Sequence, residues 1–513
     1  MSSIFEHFPL PPGRGHMTVA EKHGEFVSVP VTDSTGSTGM LPAYPVITVA
    51  KELSRNLTQR ESAKSAFLPH DETVWKRALH SWYEHGMTGT FEEVVNSKDE
   101  VPPWIASVAM TTLAFLRWAN SLNGSLFPHL SLSNEDLVSS YTSVADWQCS
   151  PVRAFAWHPH SIKVAYSLQD DSIRVHTGSN NLMPILKHKL QKNVADLAWQ
   201  PNSASVLAVA CQSCILIWHV EPTSLATRPS ASSVQVLQHS GHTPVTSLAW
   251  HPDGSILLSA APTDTGIMAW NVPMEVCVTL RRGGGGGVSA LRWSPDGTKV
   301  LAVTPSPLFR VWETKNWSCE TWSRLSSRCV ASCWSSDGSI LLFAMENDPI
   351  IYSIKFSAGQ SHDGSHISVS NKALAVTDVS EVDMQTVTGD VVKIGGSVHA
   401  MEWDSTGERL AILFRGHDNK ACSYVAVFKT ITHPVMEILP CGLVRGQDGE
   451  LAHCLSFKPN FDQGALLTIV WSSGRVGYVP LLYTRTEGAV PYQAEPLVPL
   501  NGQAGKSLHT SFR

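Results

Sequence analysis

A phrase of alternating apolar residues that ends in an aromatic ring and runs into a turn recurs seven times in this 513-residue chain. The copies are VRAFAWHPH from Val152, VADLAWQPN from Val194, VTSLAWHPDG from Val245, VSALRWSPDG from Val288, CVASCWSSDG from Cys329, VHAMEWDSTG from Val398 and HCLSFKPNF from His453. Their anchors are Trp157, Trp199, Trp250, Trp293, Trp334, Trp403 and Phe457. They recur at roughly the 40–45-residue period of propeller blades, with two longer gaps late in the chain. A second apolar run follows each anchor: DSIRVH, CILIWHV, GIMAWNV, LFRVWET, PIIYSIKF, SYVAVFKT and RVGYVPL.

Successive side chains of a strand point to opposite faces. One face of the phrase carries large groups, such as Phe155 with Trp157 and Leu248 with Trp250, and the other small ones, such as Ala154 with Ala156 and Ser247 with Ala249. This asymmetry predicts that each sheet seats its aromatic knob against the flat back of the next. Arg292 and Glu402 break the small face and are expected to reach solvent or a neighbouring loop. In the turns, Pro252 and Pro295 preset φ, Gly254 and Gly297 take the left-handed conformation, and Asp253, Asp296 and Asp337 are expected to serve the turn itself.

Because ring closure protects sheet edges, seven such units predict an all-β, seven-bladed propeller. Closure needs a strand from far along the chain. FVSVPV at residues 26–31 and YPVITVAK at residues 44–51 are the preferred candidates, ahead of QAEPLVPL at residues 493–500. The domain reading is an extended N-terminal segment (1–54), a helical insert (55–147), the propeller (148–490) and a C-terminal tail (491–513). Within the insert, Ser133 and Asp136 form a capping box for SNEDLVSSY.

Composition narrows the function. A formal charge of −6 offers no broad basic field, so direct nucleic-acid binding is not expected. Ten cysteines lack the density of a secreted disulfide scaffold, and the first residues do not read as a signal peptide. The longest apolar stretch, WIASVAMTTLAFLRWANSL, is short for a bilayer and contains Arg117, so no membrane span is expected.

Several motifs suggest chemistry but favour structural roles. Cys211 and Cys214 form a CxxC with no second pair to complete a zinc site, and they flank a tight hairpin. Arg281 and Arg282 precede five glycines that lead into a strand, which reads as a flexible connector and not a phosphate loop. His158 and His160 flank a proline in a turn. No GxSxG elbow or HExxH helix is present. We therefore expect no catalytic residue, cofactor, metal or small-molecule substrate.

Two regions are candidate contact surfaces. The insertion at residues 357–397 carries Asp378, Glu381 and Asp383, and a smaller one lies at residues 221–240. The helical insert carries Trp75, Trp82, Trp104 and Trp118, an aromatic density that interfaces favour.

The repeats resemble WD-repeat propellers, with the Trp-Asp signature degraded to Trp218-His219, Trp270-Asn271 and Trp312-Glu313. The third unit keeps Gly241-His242, Asp264 and Trp270 where WD repeats build a buried hydrogen-bond network. Beyond the repeat, NGSLFPHLSLSNEDL, SASVLAVACQSCILIW, PTSLATRPS and GHTPVTSLAW are similar to the aladin family of WD-repeat nucleoporins. The likeness covers the insert and all seven units. It implies a non-enzymatic component of the nuclear pore complex, held at the nuclear envelope through a transmembrane nucleoporin alongside other pore proteins. Protein and mRNA transport are implied as well, with a further role at the mitotic spindle. The absence of any Phe-Gly dipeptide from the sequence fits a scaffold and not the permeability barrier. The alternatives are an adaptor in another soluble assembly, such as a ubiquitin-ligase substrate receptor, and a propeller enzyme with a metal in its central channel.

Overall fold

Seven blade sheets follow one another along the described chain, antiparallel but for one parallel join in the last, and each repeated phrase forms the inner strand of one of them. The computed structural model describes residues 3–22, 24–32, 41, 44–49, 75–76, 78, 90–91, 94–95, 97, 101–105, 107–112, 128–178, 183–221, 227–230, 233–356, 372–415 and 421–483. Blade 1 comprises Val152–Trp157, Lys163–Leu168, Ile173–Thr177 and Ile185–Leu186. Blades 2 to 6 begin with Asp196–Trp199, Ser247–Trp250, Ala290–Trp293, Cys329–Trp334 and Ser397–Trp403, and each adds three further strands. Blade 7 takes Ala452–Phe457, Ala465–Trp471 and Val476–Leu482 from the end of the repeat region and its outer strands from the beginning of the chain.

That closure differs from the expected one. The strand beside Val476–Leu482 is His16–Lys22, which runs parallel to it with Glu21 opposite Leu481 and Lys22 opposite Leu482. Glu25–Pro30, which holds most of FVSVPV, pairs antiparallel with His16–Lys22 and lies one place further out. Residues 47–49 of YPVITVAK grip the other end of the same strand: Val476 N donates to Ile47 O at 3.0 Å and Val49 N to Gly474 O at 2.9 Å. Both candidate segments take part, but HMTVAEK makes the join. Its buried Glu21 hides the strand from an apolar search. QAEPLVPL lies outside the described residues.

The anchor rings do more than fill space. Trp199 donates its indole N–H to the carbonyl of Ala156 at 3.3 Å, Trp250 to Ala198 at 3.2 Å, Trp293 to Ala249 at 3.1 Å and Trp334 to Arg292 at 3.2 Å. In each case the acceptor is the residue just before the anchor of the preceding blade. Trp157 reaches back to Thr468 Oγ1 of blade 7 at 2.9 Å, which carries the linkage across the seam. Trp403 departs from the pattern and bonds Thr430 in its own blade at 3.0 Å. Phe457 has no N–H to give, and it too is buried.

The glycine run is not a loose connector. Gly284, Gly285, Gly286 and Gly287 all hold positive φ, and Arg310 donates to the carbonyls of Gly283 and Gly284 at 2.7 and 3.2 Å. A Cβ on Gly287 would fall 1.8 Å from the carbonyl oxygen of Pro262, at a φ of +147°. Both clash and backbone strain follow from any side chain there. Gly287→Val is expected to lower stability by about 2–4 kcal/mol, measured as the shift in denaturant midpoint at unchanged slope.

Ahead of the blades, the helix Asn134–Tyr141 is capped by Ser133, whose Oγ accepts from Asp136 N at 3.2 Å and donates to the Asp136 carboxylate at 2.7 Å. The segment around it touches four separate parts of the ring. His129 bonds the carbonyls of Pro262 and Gly286, Thr142 bonds Ala195 O, Ala145 N bonds His453 O, and Tyr141 lies under Arg328. A segment with contacts to blades 2, 3, 5 and 7 lies across one mouth of the ring. Helical residues at 75–76, 78, 90–91, 94–95, 103–105 and 107–112 belong to the rest of the insert. There Ala78, Val94, Val101 and Ala109 form a small core of their own, packed by Phe91, Val95 and Ile105.

Candidate interaction surface

The insert's own core leaves Trp75 and Trp104 outside. Trp75 is 60% exposed and Trp104 is 69% exposed, although large apolar side chains normally bury themselves. Val108, four residues beyond Trp104 and therefore on the same helical face, is exposed as well, as is Met110. These rings do not pack the helices onto the propeller. Trp82 and Trp118 lie outside the described residues.

Of the acidic candidates, Asp378 has a partner of its own, while Glu381 and Asp383 share Lys393. Asp378 ends the outer strand of blade 5, Leu374–Asp378, and its carboxylate accepts from the backbone N of Ser380 at 2.9 Å and from that residue's hydroxyl at 2.5 Å. Glu381 pairs with Lys393 at 3.1 Å. Asp383 sits on the hairpin Val382–Gln385 and Val391–Ile394, where it and Glu381 hold the exposed Lys393 above its ordinary pKa, the hydrogen bond to Glu381 being the larger cause. The structure gives these three carboxylates no common focus. The hairpin's inner face packs instead with Phe5 and Phe8 from the start of the chain against Phe414 and Phe428 of blade 6.

Arg292 and Glu402 break the small face because they meet each other. Their side chains approach to 3.4 Å between blades 4 and 6, reaching past blade 5 at the ring's centre. Asp196 faces them from blade 2, where its carboxylate accepts from the amides of Leu197 and Leu248 at 2.8 and 2.9 Å. Burial pushes the Asp196 carboxyl up to about 6, against the pull of those amides and of Arg292.

The third blade does build the buried network. His242 contacts Asp264 at 3.0 Å and Ser259 Oγ at 2.9 Å, and Trp270 donates to the same Ser259 oxygen at 2.9 Å. Ser259 was not singled out from the sequence; its signal is one hydroxyl inside the apolar run LLSA. The histidine, serine and aspartate lie deep in the blade, where they brace strands. Blade 2 substitutes Gln191, which accepts from the Trp218 indole at 3.2 Å.

Cys211 and Cys214 are buried and unbridged, with Cys211 N bonded to Cys214 O across the hairpin at 3.0 Å. Burial pushes the Cys211 thiol well up, while its hydrogen bond to Cys214 lowers that second thiol. His158 is tied to Ser203 O at 3.0 Å, and its Nδ1 accepts from the amide of His160 at 3.1 Å. Among the described residues no group of three or more His, Cys, Asp or Glu side chains is placed to hold a metal. Among those residues, too, no helix is long and apolar enough to cross a membrane. A cavity of about 270 Å³ follows the closing seam between Met17, Tyr44, Trp471 and Tyr478. Its Arg475 is already clamped by Glu450.

His399 sets a pH dependence. Burial, aided by the charge of Arg415, pushes its imidazole down to about 3. The unfolded imidazole titrates near 6.5, so the stability His399 contributes is complete above that pH and is lost as pH falls from 6.5 toward 3. Asp196 acts oppositely. Its raised carboxyl favours the fold below the ordinary value of 3.8, and this contribution fades as pH rises through about 6. His399→Phe is therefore expected to flatten the rising limb, leaving only the smaller rise from His158 and His176, whose imidazoles burial also lowers, as denaturant titrations from pH 4 to 7 would read.

With fold and surface in place, comparison with known proteins assigns the family. The family model described as the aladin seven-bladed propeller matches residues 133–482, well over half of the chain. The chain belongs to the aladin family. A curated relative named Aladin, from Arabidopsis thaliana, is 30% identical over 355 residues, which cover 65% of this chain and 76% of that protein. Among solved structures, the β-propeller domain of Cps50 (Swd1) from Myceliophteria thermophila matches with a TM-score of 0.47 and 14% identity, over 64% of this chain and 96% of that one. The family match starts at Ser133, the cap of the helix across the mouth, and ends at Leu482, the last residue of blade 7. It thus omits His16–Lys22, the strand on which the seventh blade relies. Membership makes this a nucleoporin-like WD-repeat protein.

Proposed function

We propose that this chain is a non-catalytic scaffold of the nuclear pore, docked at the nuclear envelope through a transmembrane nucleoporin that the helical insert grips. The observation that carries the reading is the exposure of Trp75 and Trp104 on an insert with its own small core. Buried aromatic anchors dominate binding energy at protein interfaces. A propeller supplies the rigid base for such a module, and its hydrogen-bond linkages from blade to blade suit a load-bearing part. Transport of protein and mRNA then depends on the chain indirectly, through assembly of the pore, and a spindle role would reuse the same surface.

The double substitution Trp75→Ala and Trp104→Ala tests this. Capture of the transmembrane nucleoporin from envelope extracts is expected to fall by about thirtyfold or more, the equivalent of losing about 2 kcal/mol at a hot spot, while the melting temperature of the propeller stays put. Capture at the wild-type level would remove the insert from the docking role. Rim localisation at the envelope separates this reading from an adaptor in a soluble ligase, which would distribute through the cell interior.

A further inference from the structure

Under residues 140–143, blades 4, 5 and 6 enclose a second cavity of about 70 Å³. Four basic side chains line it, Arg292, Arg328, His399 and Arg415, together with the hydroxyls of Tyr141 and Ser289, and no acidic residue does. Two of the cations are answered nearby. Arg328 makes a two-pronged pair with Glu346 at 2.8 and 3.0 Å, and Arg292 meets Glu402. Arg415 has no ion-pair partner among the described residues. Glu346 and Asp146 act on it only from longer range, and burial and the charge of Arg328 hold its pKa below the ordinary value.

A comparison among the blades marks His399 as the odd member. The inner strands of blades 1, 5, 6 and 7 each carry a bulge; the bulged residue is the apolar Val330 in blade 5 and a polar one, Arg153, His399 or His453, in the others. Arg153 bonds Asp171 at 3.3 Å and stacks on Trp147. His453 contacts Ser150 Oγ at 2.9 Å and Asp146 at 4.0 Å. His399 is only 5% exposed, and neither of its ring nitrogens makes a well-formed hydrogen bond among the described residues. The Ser143 backbone offers the ring a weak hydrogen bond that falls short of full geometry. Native proteins seldom leave a buried polar group unpaired, since the lost hydration is not replaced.

We propose that this cavity binds a phosphate-class oxyanion, held between the guanidinium groups of Arg415 and Arg328 and the imidazole of His399. The planar fork of arginine matches tetrahedral oxyanions, and the unanswered charge of Arg415 supplies the attraction. The volume is several times the roughly 10–15 Å³ that one water needs, which suits a single tetrahedral anion and excludes a nucleotide. Binding would tie three adjacent blades together beneath the segment that crosses the mouth.

The test uses inorganic phosphate with the full chain, at an ionic strength held constant with chloride. Calorimetry is expected to show saturable one-to-one binding at millimolar phosphate, accompanied by a higher melting temperature. Arg415→Ala should weaken this by about tenfold or more, and Lys393→Ala, on the exposed hairpin, should leave it unchanged. Phosphate should also shift the His399 ring signals in ¹H–¹⁵N spectra of the wild type. Absent saturation, equal binding by Arg415→Ala, or unmoved His399 signals would each overturn the proposal. Should Arg415→Ala fail to fold, the wild-type His399 signals decide.

Discussion

Replacing Glu21 with alanine is expected to cost about 3–5 kcal/mol of stability, more than most core truncations in a blade. Glu21 is fully buried in His16–Lys22, and its carboxylate takes three hydrogen bonds from Arg409, the shortest at 2.6 Å. Arg409 opens the second strand of blade 6 and is itself only 4% exposed, with its guanidinium also stacked on Tyr483 at 4.3 Å. Removing the carboxylate leaves the buried guanidinium with only Glu408, whose carboxylate stands 3.8 Å away, to answer it, and that poorly compensated charge dominates the cost. Replacing both partners with apolar residues of similar volume should recover much of the loss, because the desolvation of two ions disappears with them. A double-mutant cycle in denaturant measures both results. A Glu21→Ala midpoint within experimental error of the wild type would mean that the first strand is not seated against blade 6.

Phe5→Ala is expected to cost about 3–5 kcal/mol, the usual range for a phenylalanine removed from a core. Phe5 is fully buried, although it stands near the start of the chain, where segments commonly fray. Its ring meets Phe8 at 4.9 Å, Phe414 at 5.6 Å and Phe428 at 6.2 Å, between the edge of blade 6 and the hairpin that follows blade 5. Residues 3–22 therefore act as a strap. They plug the gap beside blades 5 and 6, pin to Arg409, and then enter blade 7. Limited proteolysis gives an independent reading: the Phe5→Ala chain should be cut within the strap well before any blade is cleaved.

The blades were legible because their code is periodic. Trp157, Trp199 and Trp250 recur at blade spacing with small residues on the reverse face, and that pattern forces a sheet to seek a neighbour. The interblade bonds were not legible, since an indole N–H can reach any carbonyl that three dimensions bring near it. The same limit applies to Arg292 and Glu402, which are 110 residues apart and adjacent only because the ring closes. The glycine run misled for a different reason. Composition suggests a flexible connector, yet the positive φ of Gly284 to Gly287 and the bonds from Arg310 and His129 define one conformation.

The closing strand shows the boundary most clearly. FVSVPV alternates as a strand should, and it forms one, but in the outermost place. HMTVAEK carries a histidine, a glutamate and a lysine in seven residues, so its apolar content is poor. It earns its position through a specific partner, Arg409, supplied by another blade. Of the interface candidates, Trp75 and Trp104 are exposed, while Asp378 serves a local turn and Glu381 pairs with Lys393.

Hydrogen exchange tests the closed ring most directly. If the beginning of the chain completes blade 7, amides in His16–Lys22 should exchange as slowly as those in Ala465–Trp471 and open together with them, and Glu21→Ala should speed both. Rapid exchange throughout His16–Lys22, with Ala465–Trp471 still protected, would contradict the account: the seventh blade would then stand without its borrowed strand.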